Sequence, residues 1–299
     1  MKWQGRRKSS NIEDRRGQSA GGFGGGRGIS PMPLVPLFRL LFSKVGLIIV
    51  AILVVLMFLT GTNPIALLQQ FLGGEPQYAQ SVDYQPSPQE QALEDQTAVV
   101  LADTEDVWNK LLDGYREPTL VFYSGQVSSA CGLSSSATGP FYCPGDEKLY
   151  IDLSFFSEME NKLGAKGDFA QAYVVGHEVG HHIQKLMGTM DQVNAMRSRL
   201  SETDFNKLMV RLELQADFYA GVWAHHTQRA TGFMEPGDLE EALNAASAIG
   251  DDRLQKQATG RVVPDSFTHG TSAQRVRWFK KGFDTGDVSQ GDTFNATEL

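Results

Sequence analysis

The strongest constraint on this chain is a run of uncharged apolar residues, VGLIIVAILVVLMFL at positions 45–59. With Thr60, Gly61 and Thr62 it gives 18 residues between Lys44 and the Asn63–Pro64 pair, and Leu40, Leu41 and Phe42 can lengthen it. A bilayer-crossing helix needs roughly 17–25 such residues, so the run is long enough. Charge is distributed unevenly around it. Residues 1–44 carry nine of the 27 Lys and Arg and two of the 35 Asp and Glu, a net +7, whereas the rest of the chain carries −15. Basic flanks stay in the cytoplasm. The expectation is therefore one membrane span in the inner (cytoplasmic) membrane, N-terminus inside, with the C-terminal domain periplasmic or extracellular. A cleaved signal peptide would have a shorter basic head and an A-x-A site after the run, and the sequence has neither.

Four regions follow from this reading: a basic, Gly-rich cytoplasmic tail at 1–38, a transmembrane helix at 39–62, a linker at 63–86 and a domain at 87–299. The domain opens with Ser87-Pro88-Gln89-Glu90, an N-cap serine, a proline at the first helical position and a glutamate three residues on. Leu93, Val100, Leu101, Val107, Trp108 and Leu111 continue an apolar face to about Gly114. Thr119–Tyr123 and Leu149–Phe155 read as strands, and helical segments follow near 168–187, 203–229, 238–249 and 272–283. A few strands followed mostly by helices predicts an α+β fold. The last residues, SQGDTFNATEL, read as a loosely ordered tail. The acidic body argues against nucleic acid as a partner. Two cysteines are too few for a four-thiolate metal site, and in an exported domain Cys131 and Cys143 should form a disulfide.

The chemistry-bearing segment is VVGHEVGHHI at 174–183, which contains His177-Glu178-Val179-Gly180-His181. With 6 His and 16 Glu in the chain, H-E-x-x-H would arise by chance with a probability of about 0.006. It also falls on an expected helix, which Asp168 can cap. Residues i and i+4 lie roughly 40° apart on one helix face, so both imidazoles can reach one ion. Glu178 lies beside them, placed to take a proton from a metal-bound water whose pKa zinc brings to near 7.

A zinc enzyme needs a third protein ligand and an open fourth position. Gln184 and Met187 stand where the extended H-E-x-x-H-x-x-G-x-x-H pattern needs Gly and His, which excludes that subclass. Asp191 is one candidate third ligand. The better one is Glu213, because Glu213 and Asp217 share a helix face at i, i+4. One can bind the ion while the other accepts the N–H of a ligating imidazole. Of the remaining histidines, His182 points away from His181, and His225 and His226 read as a solvated helix end. His269 precedes Gly270 and a cap (Thr271 or Ser272) of the helix carrying Arg275. A loop histidine there is a candidate stabiliser of an oxyanion, with a structural turn histidine as the alternative.

These blocks, in order, resemble the putative neutral zinc metallopeptidase family of bacterial membrane-anchored proteins. The likeness runs from MKWQGRRKSSNIEDRRG through CGLSSSATGPFYCP, KLYIDLSFF, GHEVGHHIQ and ELQADFYAGVWA to VVPDSFTHGTSAQRVRWFKKGFDTGD. H-E-x-x-H with E-x-x-x-D also looks like the wider gluzincin group. That resemblance implies a zincin-like domain with His177, His181 and Glu213 as ligands of one Zn2+, Glu178 as base and Asp217 behind the ligands. It also implies that an edge strand at Lys148–Phe155 pairs with an extended substrate. The function expected is a membrane-anchored zinc peptidase acting on peptides or proteins. The alternative is a non-catalytic zinc-binding envelope module that serves as a scaffold or adaptor.

Overall fold

The computed structural model describes residues 1–18 and 84–299. The expected span at 39–62 and nearly all of the expected linker lie outside the described residues. Among the described residues no helix is long and apolar enough to cross a membrane. Met1–Gly17 and Asp83–Leu299 form one compact unit.

The first strand, β1, is Ile12–Asp14, inside the segment read from the sequence as a tail. Helix α1 (Pro88–Leu111) begins as expected: the Ser87 side chain accepts from the Glu90 amide, and the Glu90 side chain caps the Ser87 amide. Next come β2 (Thr119–Phe122), the hairpin β3 (Gln126–Ser129) and β4 (Gly132–Ser135), β5 (Phe141–Cys143) and β6 (Lys148–Ile151). The helices that follow are α2 (Ser154–Leu163), α3 (Asp168–Leu186), α4 (Thr189–Ala195) and α5 (Glu202–Thr231). The last three are α6 (Asp238–Ala248), α7 (Asp251–Thr259) and α8 (Ser272–Thr285). The fold is mixed α+β, mostly helical, with two small sheets.

The larger sheet has the order β1-β2-β6-β5; β1, β2 and β6 are parallel and β5 runs antiparallel to β6. This corrects the strand expected to receive substrate. Lys148–Ile151 lies inside the sheet with both edges paired, and Ser154 already belongs to α2. Among the described residues the edge strand on that side is β5. The Cys131–Cys143 disulfide ties β5 to the β3–β4 turn, as expected.

Helices α3, α5 and α8 make the core, with Tyr173, Phe218, Trp223 and Phe279 buried between them, and α3 also meets β5 and β6 of the sheet. The C-terminal residues are part of this packing and not a loose tail. Thr293 is fully buried, and Arg211 on α5 donates to the carbonyls of Thr293, Phe294 and Ala296. Asp168 does not cap α3, whose N-cap is Gly167. Its carboxylate instead accepts from the Met1 amino group at 2.8 and 2.9 Å.

Candidate metal centre

Two long helices build the centre. On α3, Gly176 and Gly180 face α5: a Cβ at Gly180 would lie 2.7 Å from the Ala216 carbonyl oxygen, and one at Gly176 would lie 2.8 Å from the Trp223 ring. Their missing side chains let the two helices approach closely, which puts His177 and His181 opposite Glu213. His177 Nε2 is 3.2 Å from one Glu213 oxygen and His181 Nε2 is 3.5 Å from the other. One donor atom from each of the three residues lies within 4.8 Å of the others. Donors about 2.0–2.1 Å from a tetrahedral zinc stand about 3.3–3.4 Å apart, and the two imidazole–carboxylate separations are close to that.

Each imidazole is held from behind. His177 Nδ1 is 2.8 Å from Asp217 Oδ1, and His181 Nδ1 is 2.9 Å from Gln184 Oε1. Both acceptors favour a proton on Nδ1, so Nε2 beside Glu213 is the nitrogen that each imidazole would offer to an ion on losing its other proton. Gln184 is itself fixed by donating to the Leu212 carbonyl and to Gln215. Asp217 is fully buried; Tyr173 donates to it at 2.5 Å, and Arg275 from α8 donates through Nε at 2.8 Å and through its terminal nitrogen at 2.9 Å.

Electrostatics matches this geometry. Burial would push the Asp217 carboxyl up, but Arg275 and His177 outweigh it and hold the pKa at about 2. Burial would likewise raise Glu213, yet His181 and His269 keep it well below the usual carboxylate range. Burial disfavours a charged His177, and Asp217 and Glu213 overcome this to raise it to about 10. With neutral imidazoles, the buried set of Glu213, Asp217 and Arg275 carries one net negative charge, which a divalent cation would offset.

The centre opens into a cavity of about 540 Å³ that Glu178, His269 and Arg275 also line. His269 is brought in by Asp251, whose Oδ2 accepts the amides of Thr268, His269 and Gly270 at 2.7, 2.6 and 3.1 Å. Its ring Nδ1 lies 3.3 Å from Asp251 Oδ1. Arg275 is not free to meet an oxyanion, because its guanidinium is held by Asp217. Asp191 is exposed and paired with Lys185 at 2.8 Å, not among the three donors. His182 binds the Tyr142 hydroxyl (3.0 Å) and the Arg116 carbonyl (2.6 Å), tying α3 to β5. His225 and His226 are not a solvated end; their rings reach the carbonyls of Phe283 and Gly286.

Sequence reasoning missed Tyr173, Gln184 and Asp251 as supports. Tyr173 precedes His177 by four residues and Gln184 follows His181 by three, so helical spacing could have indicated both. No local pattern links Asp251 to His269 or Arg275 to Asp217.

The model of the family described as putative neutral zinc metallopeptidase matches residues 1–294. The uncharacterised protein YpfJ of Escherichia coli (strain K12) is 50% identical over 298 residues, covering 98% of this chain and 99% of that protein. The uncharacterised protein Rv2575 of Mycobacterium tuberculosis (strain H37Rv) is 45% identical over 203 residues, covering 64% of this chain and 68% of its own length. No solved structure matches.

Proposed function

The chain belongs to the putative neutral zinc metallopeptidase family, and on that basis we propose that it hydrolyses peptide bonds at a single zinc held by His177, His181 and Glu213. The observation that carries this reading is the three-donor cluster, with both imidazoles fixed through Nδ1 and both Nε2 atoms turned to Glu213. Zinc in such a site polarises a carbonyl and lowers the pKa of water, which is the chemistry peptide hydrolysis needs. Glu178 follows His177 directly on α3 and lines the cavity, where it takes the proton of the attacking water and returns it to the departing amine. Asp217 and Gln184 hold the imidazoles in their binding tautomer. Asp251 holds His269 at the cavity, where its ring donates to the oxygen that gains charge.

The cavity also favours one class of substrate. Its walls include Phe141, Phe155, Leu163, Met190, Met209 and Leu254. The charged groups among its lining residues are those of the centre itself, with His269 and the paired Arg275. A charged side chain would lose its hydration there without gaining a partner, so apolar residues beside the scissile bond fit best. The outward edge of β5 at the cavity rim offers backbone pairing to an extended peptide.

The test uses purified wild type and Glu178→Gln, with zinc content and cleavage of a peptide library measured on both. Equal zinc in both, with cleavage by wild type alone, supports the peptidase. Equal zinc with no cleavage by either would favour the non-catalytic module.

A further inference from the structure

The basic head of the chain has a use inside the fold. Arg6 pairs with Asp103 at 2.8 Å, Arg7 with Glu105 at 2.8 Å and with Asp106 at 2.9 Å, and Lys8 with Asp95 at 2.7 Å. Arg16 pairs with Glu94. All five acids lie on α1. Glu105 is 2% exposed, and its other partners, Ser9 at 2.5 Å and Asn11 at 3.0 Å, also come from the head. The backbone is engaged as well. Lys2 donates to Phe233, Ser9 to Ala98 and Arg15 to Phe122, while Asn11 accepts from Leu120, at 2.8 to 2.9 Å. In this way β1 completes the sheet beside β2, and Glu13 reaches across to Lys148 on β6. Met1 and Trp3 join the same hydrophobic core as the α3 and α5 residues that surround the centre.

We infer that residues 1–17 and the metal centre always share one compartment: the head is a structural strand of the metal domain, not a separate cytoplasmic tail. The inference is independent of whether the centre cleaves peptides. It removes the premise of the N-inside, C-outside expectation. That premise took the surplus of Lys and Arg before the apolar run as a membrane signal. In the structure, four of those nine bases neutralise the acidic face of α1. Whatever course residues 19–83 take, a single membrane crossing between the head and the domain would pull β1 off β2. It would leave the β2 amides and carbonyls as an open edge, and it would leave Glu105 without its partners.

Two measurements on the full-length chain in its native host test this. Ser10→Cys in the head and Gln257→Cys on α7 both place a thiol at an exposed position, while Cys131 and Cys143 are closed in a disulfide. In intact cells the two new thiols should respond alike to a membrane-impermeant maleimide, both labelled or both labelled only after permeabilisation. Labelling of one and protection of the other would overturn the inference. The second measurement needs no substitution. In the purified full-length protein, the amides of Ser9 and Arg15 should show hydrogen-exchange protection at least 100-fold above that of a free peptide. Exchange at the free-peptide rate would equally overturn it.

Discussion

In the proposed reaction two glutamates of the centre have opposite tasks. Glu213 would stay ionised and still, and its position between two imidazoles, with its pKa held well below normal, suits a ligand. Glu178 would exchange a proton. Replacing Glu178 by Gln is expected to leave zinc content unchanged and to lower kcat/KM by about 10²–10⁴ or more, read from peptide hydrolysis. Glu213→Ala should abolish stoichiometric zinc. Asp191→Ala, which breaks only an exposed pair with Lys185, should keep it and shift stability by less than about 0.5 kcal/mol. Arg275→Met would strand the buried Asp217 carboxylate, at a cost of about 3–5 kcal/mol in denaturant unfolding. The pH dependence has a definite sign. Asp217 is held at about 2, below its ordinary 3.8, so its contribution is present above pH 4 and is lost as pH falls through about 2. Asp217→Asn should lack that acid-side loss in urea titrations. At this scale the sequence was informative wherever the cluster repeats a helical spacing. His177, His181, Glu213 and Asp217, which the structure brings together, were singled out that way, whereas Arg275 and Asp251 make contacts across chain distances that no periodicity records.

At the level of elements, the close crossing of α3 and α5 is what turns two motifs into one site. Gly180→Ala puts a methyl 2.7 Å from the Ala216 carbonyl oxygen and 3.0 Å from its Cα, both backbone atoms that cannot step aside. The helices must separate, at a cost of about 1–3 kcal/mol, and zinc affinity should fall with stability; calorimetric unfolding and zinc titration read the two effects. The long helices were legible because each buries a continuous apolar face, and the Ser87 capping box marked the start of α1 to the residue; for α8 the sequence left Thr271 and Ser272 as caps, and the structure has Thr271. The short strands β2 and β6 were legible too, but other short elements were not. Helix α7 buries no residue and so carries no apolar stripe to read. Half of the β3–β4 hairpin is Gly and Ser, a composition that reads as loop; its order comes from cross-strand pairing and the disulfide. Strand β6 was legible from its apolar residues, but its neighbours on both sides are set by tertiary pairing, so nothing in its own residues could correct the edge position that the family resemblance implied.

At the level of the whole molecule, the domain is assembled from both ends of the described chain. Residues 1–17 supply a strand, and the C-terminal residues cover α5 and α8. Both had looked like tails, because neither shows a period of 3.6 or 2 and each is held by ion pairs and carbonyl contacts with distant residues. The disulfide joins the β3–β4 turn to the edge strand at the cavity. Reducing it should lower stability by up to about 2.5–3 kcal/mol, the loop-closure value for so short a ring, as measured by thermal melting with and without a reductant. A zinc held as proposed would join the α3 and α5 contributions in the same way, so chelation should lower Tm and added zinc restore it. The central claim is the identity of the three ligands, and zinc-edge X-ray absorption on the full-length wild type and on Glu213→Ala tests it most directly. The account predicts one zinc per chain, with two imidazoles and only nitrogen or oxygen donors at about 2.0–2.1 Å, and loss of that signal in the variant. An unchanged spectrum in Glu213→Ala, or a wild type that takes up no zinc, would contradict it.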